Sequence, residues 1–114
     1  MLGGGSPLRK ETINHLPAES TPLGGAARRL VDKPELRLVN LELKPGEVVK
    51  SHLAPVEVVF IVLAGSGQVL VENETHSLAA GEMLVCPAGT NRSLRADIDQ
   101  GLNLLVVRAP NADS

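Results

Sequence analysis

Tryptophan and tyrosine are absent from this chain, and Phe60 is its single aromatic ring apart from three histidines. A hydrophobic core must therefore be assembled from Val, Leu, Ile and Ala. The same lack removes the stacking platforms used by many nucleic-acid-binding surfaces. An excess of positive charge is also missing. The 11 Lys and Arg face 13 Asp and Glu, net charge is −2, and the densest basic pair is Arg28-Arg29. With neither a basic stripe nor aromatics, no nucleic-acid partner is expected. Cysteine occurs once, as Cys86, which excludes an internal disulfide and a CxxC zinc site. No apolar run approaches the roughly 20 residues that span a bilayer. The opening Met1-Leu2-Gly3-Gly4-Gly5-Ser6 lacks a basic segment followed by an apolar one. These absences predict a soluble cytoplasmic protein with no membrane partner.

What is present is regular punctuation. A chain of 114 residues is the size of one domain and can bury roughly two thirds of its unfolded surface. Residues 1–11 are polar and rich in Gly, Ser and Pro. They read as a flexible arm, or as a strap that orders against a partner subunit. Residues 12–110 read as one domain and 111–114 as a tail. Short apolar runs at 13–16, 26–31, 36–43, 56–63, 69–71, 75–78, 83–86, 93–95 and 102–107 are separated by turn residues. None has the sustained i, i+3, i+4 spacing of an amphipathic helix. This spacing predicts an all-β sandwich or barrel.

Two kinds of strand stand out. Val39-Asn40-Leu41-Glu42-Leu43 alternates, with one side for the core and one for water. Val58-Val59-Phe60-Ile61-Val62-Leu63 is apolar on both sides. Without helices to cover its outer side, a second subunit is the expected cover, which predicts a homodimer. Cover by the N-terminal arm of the same chain is the alternative. Pro45-Gly46 fits the centre of a type II turn, Asn73-Glu74 a tight hairpin loop, and Pro87-Ala88-Gly89 a sharp turn after a buried strand.

Together these marks resemble the two motifs of the cupin superfamily, small single-domain RmlC-like members in particular. The first is usually written G-x5-H-x-H-x3,4-E-x6-G; Gly46, five residues and His52 match its opening, and Gly65 its close. The second is usually G-x5-P-x-G-x2-H-x3-N; Gly81, five residues, Pro87, Ala88 and Gly89 match it. The likeness runs over about residues 36–108. It implies a jelly-roll β-barrel, the double-stranded β-helix. In metal-binding cupins the remaining letters supply two histidines and a glutamate from the first motif and a histidine from the second. Here only His52 stands at such a position, while Ala54, Val58 and Arg92 occupy the other three. A catalytic metal takes about three protein donors and an open position. Arg92 has no lone pair to give, and its charge repels a cation. No metal or other cofactor is therefore predicted at the usual position. A shifted site built from His52, Glu57 and His76 would need an awkward geometry, with Glu57 on the opposite side of its strand from position 58.

The residues left at that centre define the candidate ligand-binding set: His52, Arg92, Phe60, Val58 and Ala54. His52 is either a bystander at the barrel mouth or a group that titrates near neutrality and handles protons. Arg92, if directed into an apolar cavity, needs Glu57, Glu82, Asp97 or an anionic ligand as partner. Lys50 and Ser51 could line the same mouth. Cys86 reads as a buried, inert thiol. Three functions remain open: a metal-free cupin that binds a small, anionic molecule in the barrel; a cupin-type enzyme, an isomerase, epimerase or dioxygenase with a non-standard metal or acid/base site; and a structural or interaction dimer without pocket chemistry. No catalytic residue can be named from the sequence.

Overall fold

The computed structural model describes residues 8–111. Most of the arm assigned to residues 1–11, and nearly all of the tail, lie outside the described residues. Nine strands follow one short 3-10 turn, Ile13–His15: β1 (Glu19–Ser20), β2 (Ala26–Lys33), β3 (Leu36–Leu43), β4 (Val48–Leu53), β5 (Val58–Val71), β6 (Glu74–Ala79), β7 (Met83–Cys86), β8 (Asn91–Ala96) and β9 (Leu102–Arg108). They hydrogen-bond in the order β1-β2-β3-β9-β5-β8-β4, with β6 and β7 also paired to β5. All pairs are antiparallel. This curled sheet is the jelly roll that the motif resemblance implies. No helix among the described residues is long and apolar enough to cross a membrane.

Strand β5 joins the two halves of the barrel. Its first part pairs with β7 and β9, and its second with β6 and β8. Between them lies a β-bulge at Val62/Ala64. Before the bulge the even positions Val58, Phe60 and Val62 are buried; after it the odd positions Gly67 and Val69 are. One extra residue switches which side chains face inward, so a single strand can line both sheets. The apolar pattern suggests a break at Ala64-Gly65-Ser66-Gly67, and the structure corrects that break to a bulged corner within one strand. Gly65 sits there at φ +79°, and a Cβ on it would come 1.8 Å from the Gly101 carbonyl oxygen.

Three further expectations need correction. The run at 13–16 holds a 3-10 turn, Ile13–His15, closed by local bonds from His15 N–H to Thr12 O (2.9 Å) and from Leu16 N–H to Ile13 O (3.1 Å). Val48–Leu53 is a strand although polar residues interrupt it, since its pairing with β8 supplies the backbone bonds. The hairpin loop is Glu72-Asn73, with Val71 opposite Glu74, so the turn lies one residue earlier than expected. The Pro45-Gly46 turn is as read: Gly46 has φ +75° and Glu47 N–H donates to Lys44 O at 2.9 Å.

The core lies between the two halves, built from Leu41, Leu43, Val58, Phe60, Val62, Val69, Leu94, Leu102 and Leu104 with Cys86 and small alanines. One polar side chain, Asn40, is fully buried on the outer side of β3. Its amide donates to Asn103 Oδ1 (2.7 Å) and Leu104 O (3.1 Å), and its oxygen accepts from Arg28 Nη1 (3.0 Å). Three hydrogen bonds to one side-chain amide offset most of the cost of burying it. Arg28 also pairs with Glu42 and donates to Leu16 O.

Two of the positive-φ glycines, Gly46 and Gly65, give a graded test. Gly46→Ala meets nothing within 4 Å, so only the backbone strain of about 1–2 kcal/mol applies. Gly65→Ala adds a collision with rigid β9-side backbone. Thermal melts should show a modest loss for Gly46→Ala and a much larger one, or failure to fold, for Gly65→Ala; equal losses would contradict the corner geometry.

Candidate functional site

The barrel opens at one end into a cavity of about 340 Å³, near the lower limit of about 300 Å³ for small-molecule sites. Alternation fills its walls. On β3, Arg37, Val39 and Leu41 share the inner face; on β9, Val106 and Arg108 do. From β4 and β8 come Val49, Lys50, His52, Leu53, Arg92, Ser93 and Leu94, and from β5 comes Phe60. The Thr21–Gly24 turn forms part of the rim. Among the described residues of this wall none is Asp or Glu.

Register sets the charges. Arg37 on β3 lies directly opposite Arg108 on β9. Arg92 on β8 lies directly opposite His52 on β4. Arg92 is only 6% exposed. Its Nη1 donates to the His52 carbonyl at 3.3 Å, and its Cζ stands 5.8 Å from the centre of the Phe60 ring, within cation–π range. No carboxylate among the described residues pairs with Arg92. The acids considered as partners act elsewhere: Glu82 caps Ala79 N–H (2.8 Å), Asp97 accepts from Ser66 and from Gln68 (2.6 Å), and Glu57 is exposed. Those two hydrogen bonds hold the Asp97 carboxyl below its usual range. Burial, followed by the neighbouring Arg108 charge, lowers the pKa of Arg92.

His52 stands between two guanidinium groups. Arg108 Nη2 lies 3.4 Å from His52 Nε2. A guanidinium only donates, so this contact is a hydrogen bond when Nε2 carries the lone pair, as in the neutral Nδ1–H tautomer. Burial first, then the charges of Arg92 and Arg108, push the imidazole below its ordinary value of 6.5. Cys86 is buried opposite Val58, and burial raises its thiol pKa despite the opposing charge of Arg92. Both burial and the raised pKa disfavour its thiolate.

Of the sequence-derived set, His52, Arg92 and Phe60 line the cavity, and so does Lys50. Ala54 and Val58 are 1% and 0% exposed and belong to the core rather than to the cavity wall. His76 lies on β6, opposite Val69 and 3.5 Å from Glu74, and takes no part in the cavity wall. Arg37 and Arg108 were missed. Extending the inward alternation of Val39-Leu41-Leu43 back by one step, and that of Leu102-Leu104-Val106 forward by one, would have found both.

A divalent ion does not fit these residues. Among the described residues no three His, Cys, Asp or Glu side chains are grouped to hold one. The cavity presents one imidazole and several cationic groups, which offer protons rather than lone pairs.

Solved structures share the architecture. TT1209 from Thermus thermophilus superposes with a TM-score of 0.78 at 26% identity, covering 90% of this chain and 98% of its own. The polyketide cyclase RemF from Streptomyces resistomycificus gives 0.82 at 20% identity, over 94% and 82%. An RmlC-like cupin from Shewanella frigidimarina gives 0.79 at 19% identity, over 90% and 91%. No curated protein matches the sequence. Residues 39–108 match the family model of the Cupin domain, more than half of the sequence, and the chain belongs to that family.

Proposed function

We propose that this cupin binds a small anionic molecule at the barrel mouth, without a divalent metal. The observation that carries the reading is Arg92: a buried guanidinium with no carboxylate partner among the described residues, directed into a cavity whose described wall contains no acid. A buried cation without a counter-charge is costly, and a ligand carboxylate or phosphate would meet the Arg fork with paired, charge-assisted hydrogen bonds. The apolar wall, from Val39, Leu41, Leu53, Phe60 and Val106, would bury the rest of the molecule. The polyketide cyclase among the structural neighbours keeps an enzyme in view. Beside His52 and Lys50 the described cavity wall holds no carboxylate or tyrosine, so binding is the better-supported role.

The outer side of β9, β5 and β7 favours a second role, pairing with another copy of the chain. Val107, Val59 and Val85 form one cross-strand row, and Leu105, Ile61 and Met83 the next. Leu63, Met83 and Val85 are 45%, 62% and 44% exposed. The hydrogen bonds of Arg9 and of the Leu16 carbonyl run to β2, at Leu30 and Arg28, away from this face. Apolar cross-strand rows of this kind suit a two-fold contact.

Three outcomes are expected. Thermal shift with small carboxylates and phosphates should raise the melting temperature; at a hundredfold excess over Kd the stabilisation is about 2.7 kcal/mol. Arg92→Ala should lose this response, and tag-free protein should carry no stoichiometric Fe, Mn, Ni or Zn; a stoichiometric metal would refute the assignment. Second, stability should fall on the acid side through His52. Its folded pKa lies below the unfolded value, so both states are neutral above about pH 6.5. As pH drops further the unfolded chain binds the proton first, and stability declines until the folded ring protonates too. The His52→Gln variant should lose that part of the acid-side slope, as seen in melts across this window. Third, sedimentation velocity should give a dimer, and Met83→Glu with Val85→Lys a folded monomer; a monomeric parent at high micromolar concentration would remove the pairing role.

A further inference from the structure

We infer that the anion is a carboxylate on a compact hydrocarbon body, a branched-chain or aromatic acid in class, and not a hydroxylated one such as a sugar acid. This rests on the anion-binding reading and adds what the remainder of the ligand must be.

The carboxylate is set by Arg92. Its side chain makes one hydrogen bond among the described residues, from Nη1 to the His52 carbonyl. The rest of the fork is open to a ligand carboxylate, which brings acceptors and no donor. From this guanidinium an apolar row leads away. The Phe60 ring lies 5.8 Å from Arg92 Cζ. Phe60 on β5 stands opposite Val106 on β9, and Val106 opposite Val39 on β3. All three line the cavity. Neighbouring strands lie about 4.8 Å apart, so the row spans roughly 10 Å. Arg37 and Arg108 face each other in an adjacent row, with interactions of their own, and are not needed for this recognition.

The wall is poor in acceptors. Its described residues include no Asp, Glu, Asn, Gln or Tyr. Two hydroxyls remain, and neither is on offer. Thr21 Oγ1 donates to Gly24 O and accepts from Gly24 N–H within its own turn. Ser93 alternates with the buried Arg92 and Leu94 on β8, so its side chain takes the opposite face. His52 Nε2 lies 3.4 Å from Arg108 Nη2. Strands β3, β8 and β9 each run between two neighbours, which take up their carbonyls. At the rim, the Leu23 carbonyl accepts from Lys50 N–H at 2.9 Å. Every hydroxyl on a ligand brings a donor, and a donor buried here without an acceptor costs affinity. A hydrocarbon body avoids that cost and gains by leaving water.

Calorimetry on the full chain at pH 7.5 and constant ionic strength provides the test. Benzoate, phenylacetate and 4-methylpentanoate are compared with gluconate and glucuronate, which carry the same charge on a hydroxylated body. Acetate, inorganic phosphate and uncharged phenylacetamide complete the set. At least one apolar acid should bind about tenfold or more tightly than gluconate, glucuronate and acetate. Val106→Thr, which adds a hydroxyl to the row, should weaken that acid several-fold; an unchanged affinity would remove the row from the site. A hydroxylated acid, acetate or phosphate binding as tightly as the apolar acids would overturn the hydrocarbon inference while the anion reading stands. Phenylacetamide binding as tightly as phenylacetate, or no binding by any anion, would sink both. The comparison among ligands is decided on the parent protein, so a variant that fails to fold leaves the inference open to refutation.

Discussion

Everything in this barrel depends on one strand serving two sheets. Strand β5 is hydrogen-bonded to β7 and β9 at its start and to β6 and β8 at its end. A regular strand cannot line both halves with apolar side chains if its inward phase must change between them. The bulge at Val62/Ala64 supplies the change, and the small residues from Ala64 to Gly67 let β5 approach its neighbours there. Gly65 abuts the Gly101 carbonyl, and a Cβ on Gly67 would come 2.3 Å from the Arg95 carbonyl oxygen. The corner also sets the site, because it places β9 and β8 on either side of β5 and so turns Arg108 and Arg92 toward a common space.

The electrostatic consequence can be weighed. Two unit charges 4 Å apart repel by about 1 kcal/mol in water and about 4 kcal/mol at an effective dielectric constant of 20. Arg37 and Arg108 are half-buried at the open mouth, which moderates this repulsion. Arg92, the most buried of them, also gains the Phe60 ring face and the His52 carbonyl. A domain whose whole stability is typically about 5–15 kcal/mol can bear such a cluster. It would not bear the same charges in the closed apolar layer below, where Val58, Val62 and Leu104 are almost fully enclosed. The cations therefore sit where the core ends and water begins.

The fold was legible because its signals are local. Gly46, Gly65, Gly81 and Gly89 all have positive φ, so the glycine spacing of the two motifs reports backbone conformations that favour glycine. Met83–Cys86 and Leu36–Leu43 were bounded correctly by their apolar letters and flanking turns. What failed was whatever depends on a partner distant in sequence. Val48–Leu53 has too few apolar residues to announce a strand, and β8 makes it one. The continuity of β5 through a glycine-rich stretch follows from the sheets on both sides. Half of the candidate site was visible because His52 and Arg92 fall on motif positions. Arg37 and Arg108 lie at the ends of strands outside those letters, and only antiparallel register brings them together.

The missing metal-ligand residues and the arginines around their place amount to one change of polarity. A metal centre presents lone pairs converging on a cation; this mouth presents the N–H groups of several arginines instead. The two designs exclude each other at the same place, since a guanidinium within a few ångströms raises the cost of a divalent ion and lowers the basicity of the one remaining imidazole. Placing a single histidine at position 92 would therefore not build a metal centre. Ala54 and Val58 would still offer no donor, and Arg37 and Arg108 would still charge the opposite wall. The retained His52 makes the same point from the other side. Its Nε2 lies 3.4 Å from an arginine N–H, so a metal bound there would have to displace a guanidinium as well as find the missing donors.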